Sequence, residues 1–232
     1  MNARAPLILS DVTKHFGRFA ALRSVTANFQ AARLYSVLGD NGAGKSTLLR
    51  AIAGLLPLTR GSVTVLGSTD LRSVRNQIGY MAHAPLLYDE LDAMENLRYF
   101  AGLYGIHDEQ LCAAAVTSVG LDATLKRRVG QYSQGMRQRL SLARAILHDP
   151  ALLLLDEPFS NVDIASARDM VRLLATMRDA GKTILLVTHQ PYLLEGVADE
   201  FVWMASGRIV DRTAALSGGT AGETPALRTV TR

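Results

Sequence analysis

Two features of the sequence predict an α/β fold. Apolar runs of strand length alternate with segments of helical periodicity, which is typical of buried parallel strands connected by helices. One of these runs leads directly into a glycine-rich segment, as a tight turn from a strand into a helix requires. The runs predicted to form the parallel core sheet are residues 34–38, 78–81, 151–155, 184–187 and 201–204.

A second sheet, small and antiparallel, is predicted near the N-terminus. Residues 7–12, 22–29 and 62–66 have short β-rich patterns bounded by Gly, Asp or Asn. Near the other end of the chain, residues 203–210 are predicted to form a hairpin around Ser206-Gly207, because these residue types favour tight turns.

The middle of the chain is predicted to form a helical subdomain of about residues 84–150. Met94, Leu97 and Leu103 recur at helix spacing, and a second helical pattern follows after residue 108. We expect the aromatic residues here to pack in the core rather than bind a cofactor. The subdomain would be inserted into one domain of residues 1–212, followed by a disordered tail, residues 213–232, rich in Ala, Gly, Thr and Ser.

The composition argues against several classes of protein. The chain has 232 residues, 48% of them hydrophobic, and a net charge of +4, an excess too small to predict nucleic-acid binding. No apolar stretch approaches the roughly 18 residues of a membrane span, and residues 7–9 are too short for the core of a signal peptide, so we expect a cytoplasmic protein. Cys112 is the single cysteine; its Leu and Ala neighbours predict packing in a helical core.

Residues 39–47 form a complete phosphate-binding loop, Gly-Asp-Asn-Gly-Ala-Gly-Lys-Ser-Thr. Glycines leave room for backbone N–H groups to surround phosphate oxygens, Lys45 adds a positive charge, and the Ser46 hydroxyl can bind Mg²⁺. Residues 46–53 look helical, which places the phosphates at the positive end of a helix dipole. A purely structural turn is the alternative. The residues predicted to bind a nucleoside triphosphate are Gly39, Asn41, Gly42, Gly44, Lys45, Ser46 and Thr47.

Further motifs follow this loop in order. They are Gly-Gln-Tyr-Ser-Gln-Gly-Met-Arg-Gln-Arg-Leu at residues 130–140, the strand end Leu-Leu-Leu-Leu-Asp-Glu-Pro at 152–158, Ser-Asn-Val-Asp at 160–163 and Val-Thr-His at 187–189. Together they resemble the nucleotide-binding subunits of ATP-binding-cassette (ABC) transporters, over residues 7–211. The resemblance identifies residues 39–47 as the Walker A loop, 152–157 as the Walker B strand and 132–136 as the signature.

The resemblance implies a P-loop NTPase core that hydrolyses ATP with Mg²⁺. Asp156 would hold the metal together with Ser46, and Glu157 would polarise the attacking water. His189 would contact the γ-phosphate and orient that water, although a histidine at this strand end can instead cap a turn. The presence of Lys45 and of both acids argues against an inactive site.

The resemblance also implies a head-to-tail pair of ATPase subunits, a homodimer or a heterodimer, enclosing two ATP molecules. The signature departs from the common Leu-Ser-Gly-Gly-Gln form but keeps Ser133 and Gly135, which would approach the γ-phosphate of the other subunit's nucleotide. Ser133 can alternatively cap a helix that continues through His148. Asp163 would connect the two sites or cap a helix, and Phe16 would stack on adenine or pack in the core.

His83 lies where the family has the Q-loop glutamine, which approaches Mg²⁺ and couples the ATPase to its membrane subunit. The resemblance therefore makes His83 a candidate metal residue beside Ser46 and Asp156. Histidine can donate or accept a hydrogen bond, but unlike glutamine it changes charge near neutral pH. We hypothesise that protonation of His83 weakens the engagement of Mg-ATP at acidic pH. An unchanged pH dependence of hydrolysis in the variant His83→Gln would contradict this hypothesis.

The segments at residues 80–85, 87–91 and 95–98 are similar to those of the haem-exporter ATPase of cytochrome c maturation. Residues 132–139 also resemble multidrug, antibiotic and polysaccharide exporters. We therefore expect the motor subunit of an exporter, bound to an integral-membrane permease at the cytoplasmic face of the membrane through the surface around residues 83–103. A soluble ABC ATPase of translation or DNA repair is the alternative, but the chain has neither a second cassette nor a long coiled-coil insert.

Overall fold

The computed structural model describes residues 6–216. Within that part of the chain, nine strands form two sheets and are accompanied by five α-helices. The strands are β1 Leu7–Phe16, β2 Phe19–Phe29, β3 Leu34–Leu38, β4 Arg60–Val65, β5 Ile78–Met81, β6 Leu152–Asp156, β7 Thr183–Val187, β8 Glu200–Ala205 and β9 Arg208–Thr213. The helices are α1 Lys45–Ile52, α2 Ala93–Leu103, α3 Glu109–Ser118, α4 Gln134–Ile146 and α5 Ile164–Asp179.

The central sheet has the strand order β5-β6-β7-β3-β8-β9. Its first five strands are parallel, and β9 pairs with β8 as an antiparallel hairpin. All residues of β3, β6 and β7 are buried, which explains why their sequences are almost continuously apolar rather than alternating. The predicted α/β fold, its parallel strands and its C-terminal hairpin are confirmed.

The predicted N-terminal antiparallel sheet is also confirmed, with the order β2-β1-β4. It shares one apolar core with α1 and with one face of the central sheet. In this core the ring of Phe29 packs edge-on against the ring of Tyr35, with 4.9 Å between the centroids, a favourable aromatic geometry. The packing fixes α1, and therefore the loop that precedes it, relative to both sheets.

The other face of the central sheet shares a second apolar core with α2, α3, α4 and α5. Of these helices, α4 packs on β5 and α5 on β7, whereas α2 and α3 pack on each other and on α4. Cys112 is buried in this core, as predicted, and burial raises the pKa of its thiol. The expectation of core aromatics is wrong for Tyr99 and Tyr104, which are 46% and 43% exposed. Tyr99 lies instead in a surface cluster, 4.9 Å from Tyr88 and 5.3 Å from Phe100 between ring centroids.

Several boundaries differ from those predicted. The helix expected to continue through His148 ends at Ile146, and Thr213, placed in the predicted tail, still belongs to β9. Residues 217–232, most of that tail, lie outside the described residues. None of the helices found between residues 6 and 216 combines the length and the apolar character needed to cross a membrane.

Candidate active site

The predicted site residues meet at the carboxyl ends of β3, β6 and β7, three neighbouring parallel strands. Asp156 at the end of β6 pairs with Val187 of β7, which in turn pairs with Val37 of β3. A cleft of about 380 Å³ opens at this edge, a volume within the range of small-molecule sites. Eleven of the predicted residues line it: Phe16, Asn41, Gly42, Gly44, Lys45, Ser46, Thr47, His83, Asp156, Glu157 and His189.

The phosphate loop is held by close backbone packing at two of its glycines. Gly39 and Gly44 both have positive φ angles, 140° and 101°. A Cβ at position 39 would overlap with the Met204 carbonyl oxygen, and one at position 44 would lie 2.6 Å from the Ala21 carbonyl oxygen. No side chain fits at either position without movement of β8 or β2. Gly39 itself lines a smaller adjoining cleft of about 240 Å³.

Gly207 supports the loop from the turn between β8 and β9. Its N–H donates to the Ala43 carbonyl (3.0 Å), and its own carbonyl accepts from Arg23 N–H (2.8 Å). Its φ is +78°, and a Cβ there would lie 2.7 Å from the Ala21 carbonyl oxygen. The turn therefore joins the phosphate loop to the small sheet.

Lys45 lies inside the curve of the phosphate loop and is only 6% exposed. Its ammonium donates to the carbonyls of Gly39 (2.6 Å) and Asp40 (3.0 Å). Burial lowers the pKa of Lys45, whereas the carboxylates of Glu157 and Asp156 oppose this shift. The positive charge is thus aimed at the loop and balanced by the acids across the cleft.

Ser46 and Asp156 form the polar floor of the cleft. The Ser46 hydroxyl donates to Asp156 Oδ1 over 3.0 Å. Asp156 is 1% exposed, and its Oδ2 has no hydrogen-bond partner within the described structure. A buried carboxylate oxygen without a partner is costly. A hydroxyl and a carboxylate are also the protein ligands that Mg²⁺ takes beside substrate phosphates, so this pair fits the ion.

Glu157 follows in a left-handed backbone conformation, with a φ of 56°. Its Oε2 accepts from the backbone N–H of His189 (3.2 Å), and His189 Nε2 lies 3.4 Å from Oε1, outside hydrogen-bond geometry. Burial raises the pKa of Glu157, and His189 opposes the shift. A carboxylate with a raised pKa is a better proton acceptor, so Glu157 has the chemistry of a general base.

Phe16 and Phe19 form the exposed mouth of the cleft. They face each other across the turn between β1 and β2, and their side chains are 50% and 60% exposed. The alternative that Phe16 is a core residue is therefore wrong. Lys14 Nζ lies 5.0 Å from the centroid of the Phe16 ring, close enough for a cation–π contact.

A protein-family model described as ABC transporter matches residues 22–160. The chain belongs to this family. It is 31% identical over 204 residues to the lantibiotic transport ATP-binding protein SrtF of Streptococcus pyogenes, covering 88% of this chain and 89% of that protein. It is 34% identical over 222 residues to the phosphonates import ATP-binding protein PhnC 1 of Natronomonas pharaonis, covering 90% and 94%.

The solved structure of an ATP-binding subunit of an ABC transporter has the same fold. Its TM-score with this chain is 0.82 at 28% sequence identity, and the match covers 90% of this chain and 89% of that one. The fold class of an ABC ATPase is thereby confirmed, and the chain is an ATP-binding ABC transporter ATPase.

The remaining predicted residues of this ABC ATPase do not line the cleft. Ser133 is exposed and caps α4 by accepting from Met136 N–H (3.2 Å), and Asp163 caps α5 by accepting from Ser166 N–H (2.9 Å). Ser133 and Asp163 thus each make the helix-capping contact that the sequence analysis gave as the alternative to a role between subunits. A Cβ on Gly135 would lie 2.9 Å from the Asn161 carbonyl oxygen, so the first turn of α4 packs on the segment before α5.

Phe19, Gly207 and Gln138 are among the residues of this site that the sequence analysis missed. Phe19 could have been found as an aromatic opposite Phe16 across a two-residue turn. Gly207 and Gln138 have no local sequence signal that connects them to the phosphate loop or to the acids. The Gln138 side chain reaches Glu157 from α4 only in the folded chain. The positions of both residues follow from tertiary packing alone.

Proposed function

We propose that the chain is the ATP-hydrolysing motor subunit of an ABC exporter and works as a head-to-tail pair closed over two ATP molecules. The observation that carries this proposal is the position of Asp156 and Glu157 across one cleft from Lys45 and Ser46. Such a cleft has cationic and backbone donors for the triphosphate, and beside them two carboxylates in different environments.

The two acids have separate roles in this proposal. Asp156 and Ser46 would hold Mg²⁺, which neutralises phosphate charge when bound. Glu157 accepts a proton from the attacking water, because burial raises the pKa of its carboxyl group and it faces the same cleft. His189 holds the Glu157 carboxylate through its backbone N–H and presents a half-exposed ring to the γ-phosphate position.

The pairing of two subunits is supported by the location of Ser133, Gly135 and Asp163. All three lie outside the cleft of their own subunit, at the first turns of α4 and α5. A helix N-terminus with an exposed serine is suited to a phosphate, and in this proposal the phosphate belongs to the other subunit's ATP.

A membrane permease is proposed to dock near His83. The surface from His83 to Leu103 exposes several large apolar side chains, which are Leu86, Tyr88, Tyr99 and Leu103. Exposed apolar clusters of this kind are typical of protein contacts. Docking there would place the subunit at the cytoplasmic face of the membrane.

Export rests on the exporter-like segments at residues 80–98 and 132–139. One relative is named for lantibiotic transport and another for phosphonate import, so family membership alone does not set the direction. The possibility of haem export is supported only by the resemblance of residues 80–98 to the haem-exporter ATPase. Neither relative named above is described as a haem exporter. Antibiotic export has the additional support of the lantibiotic relative.

The test of this function is the variant Glu157→Gln. We expect it to lose ATP turnover while still binding ATP, because binding needs the loop whereas hydrolysis needs the proton acceptor. Turnover equal to that of the wild type would contradict the proposal. Purification of the unaltered chain from membranes should yield an integral-membrane permease, whose type will identify the direction and class of transport.

A further inference from the structure

A hydrogen bond joins the signature helix to the proposed general base within one subunit. Gln138, in the second turn of α4, is 4% exposed, and its Nε2 donates to the carbonyl oxygen of Glu157 over 2.7 Å. The helix that carries Gln138 begins after Ser133. The two ends of this contact therefore belong to motifs with separate proposed roles, phosphate contact and water activation.

Glu157 depends on such contacts because its backbone is in the left-handed region, which L-residues adopt only when their surroundings impose it. Its N–H donates to the Val187 carbonyl (2.9 Å), and its carbonyl accepts from Ser160 N–H (3.3 Å) as well as from Gln138. The bond from Gln138 is the shorter of the two at this carbonyl. Because the backbone fixes the direction of the Cα–Cβ bond, it also aims the carboxylate.

A second contact ties the same helix to the same segment. Gly135, one turn before Gln138, lies so close to Asn161 that a Cβ would come within 2.9 Å of the Asn161 carbonyl oxygen. The first two turns of α4 thus touch the segment 157–161 at both of its ends. A displacement of α4 cannot leave the Glu157 backbone unaffected, since closely packed contacts transmit movement.

We propose that Gln138 is a positioning residue for ATP hydrolysis: its amide holds Glu157 in the orientation that activates water and makes this orientation depend on the position of α4. The inference rests on the proposed function, in which Ser133 at the start of α4 contacts the nucleotide of the other subunit. Engagement of one nucleotide site would then reach the carboxylate of the second site through a single side chain.

The test uses Gln138→Met, which keeps the length of the side chain and removes the donor, and Gln138→Glu, which keeps the shape and lacks a donor when ionised. We expect kcat to fall about tenfold or more in both, because general-base catalysis contributes about 10²–10⁴. KM and the Kd of a fluorescent ATP analogue should stay within about twofold, since the bond touches no ligand.

Ser141→Ala is the matched control. Ser141 is also buried on α4, and its hydroxyl donates to a backbone carbonyl, that of Pro85 (3.0 Å), which does not line the cleft. This variant should lose thermal stability but keep the wild-type kcat. If it loses as much kcat as Gln138→Met at equal loss of stability, the role of Gln138 is merely structural and the inference is overturned.

The Glu157→Gln variant separates this inference from the function on which it rests. If Glu157→Gln abolishes turnover while Gln138→Met and Gln138→Glu keep the wild-type kcat, the positioning role of Gln138 is overturned and the proposed function stands. If Glu157→Gln keeps full turnover, Gln138 has no general base to position, and both the positioning role and the proposed function are overturned. Loss of turnover in all three variants, with unchanged nucleotide affinity, supports the positioning role and the proposed function.

Discussion

The Ser46 hydroxyl donates a 3.0 Å hydrogen bond to Asp156 Oδ1, although the two residues are 110 positions apart in the sequence. The bond connects the first turn of α1 with the end of β6 and leaves Asp156 Oδ2 buried without a partner in the described structure. We propose the Mg²⁺ site at this pair, because the carboxylate has one oxygen bound by the hydroxyl and one buried oxygen free to bind the ion.

Asp156→Asn is expected to abolish the part of ATP binding that depends on Mg²⁺, because the amide keeps the shape but not the charge of the ligand. Titration of Mg²⁺ at constant ATP, with a fluorescent ATP analogue, measures this directly. In EDTA the variant should bind ATP at least as well as the wild type. The control is Asp169→Asn, at an exposed acid paired with Arg172, which should change ATP binding neither with Mg²⁺ nor in EDTA. If ATP binding by Asp156→Asn depends on Mg²⁺ as strongly as binding by the wild type, Asp156 is not part of the metal site.

Lys45→Ala is expected to weaken ATP binding itself, roughly 10- to 100-fold, since a charged hydrogen bond contributes about 1.5–3 kcal/mol. Isothermal titration calorimetry with ATP and with ADP gives both affinities. Lys182→Ala is the control, because Lys182 pairs with Asp149 and neither residue lines the cleft. ATP affinity that survives the loss of Lys45 would mean that the loop is not the triphosphate site.

Phe16→Ala is expected to reduce the affinity for ATP about tenfold or more, because stacking on an aromatic ring contributes about 1–3 kcal/mol per base. Inorganic triphosphate, which has no base, should compete with equal strength in the variant and in the wild type. Phe19→Ala tests whether the second exposed ring shares this role. A loss of triphosphate binding equal to the loss of ATP binding would show a structural defect instead.

The free energy of unfolding is expected to fall as the pH drops below about 6.5, with His148 as a cause. His148 Nε2 lies 3.2 Å from the Ile78 carbonyl oxygen, its ring stacks on Tyr104 at 4.0 Å between centroids, and burial lowers its pKa. Between the ordinary histidine pKa near 6.5 and the lowered folded value, the unfolded chain binds more protons, so acid favours unfolding.

Urea denaturation at a series of pH values measures this effect. His148→Gln should flatten the pH dependence below about 6.5, whereas His107→Gln, at an exposed histidine, should leave it as in the wild type. An unaltered slope in His148→Gln would assign the pH dependence to other groups.

The fold and the centre of the site could be predicted because their determinants are local. Lys45 and Ser46 belong to one contiguous loop. Asp156 ends a buried strand, and Glu157 and His189 follow the ends of buried strands; the carboxyl ends of neighbouring parallel strands lie at the same edge of the sheet. Strand and hairpin positions follow from apolar periodicity in the same way.

The residues that were missed or misplaced depend on contacts between distant segments. Gln138 is an ordinary polar position of a helix until α4 packs on Glu157, and Gly207 is an ordinary turn until that turn packs on Ala43. Tyr99 is at helical spacing with the apolar residues of α2 and is expected in the core, but it lies in an exposed aromatic cluster with Tyr88 and Phe100, and spacing alone does not distinguish a buried face from an aromatic surface. Tyr104 follows the end of α2 and stacks on His148, a contact between distant segments that leaves it 43% exposed.

The mass of the Glu157→Gln variant in saturating Mg-ATP, measured by multi-angle light scattering, tests the central claim most directly. The paired arrangement predicts twice the mass of one chain with ATP and a single-chain mass without it. Adding Ser133→Asp should prevent pairing without loss of stability, because aspartate still caps α4 but repels a phosphate. A Glu157→Gln chain that stays monomeric with saturating ATP, both alone and together with its membrane partner, would contradict the account.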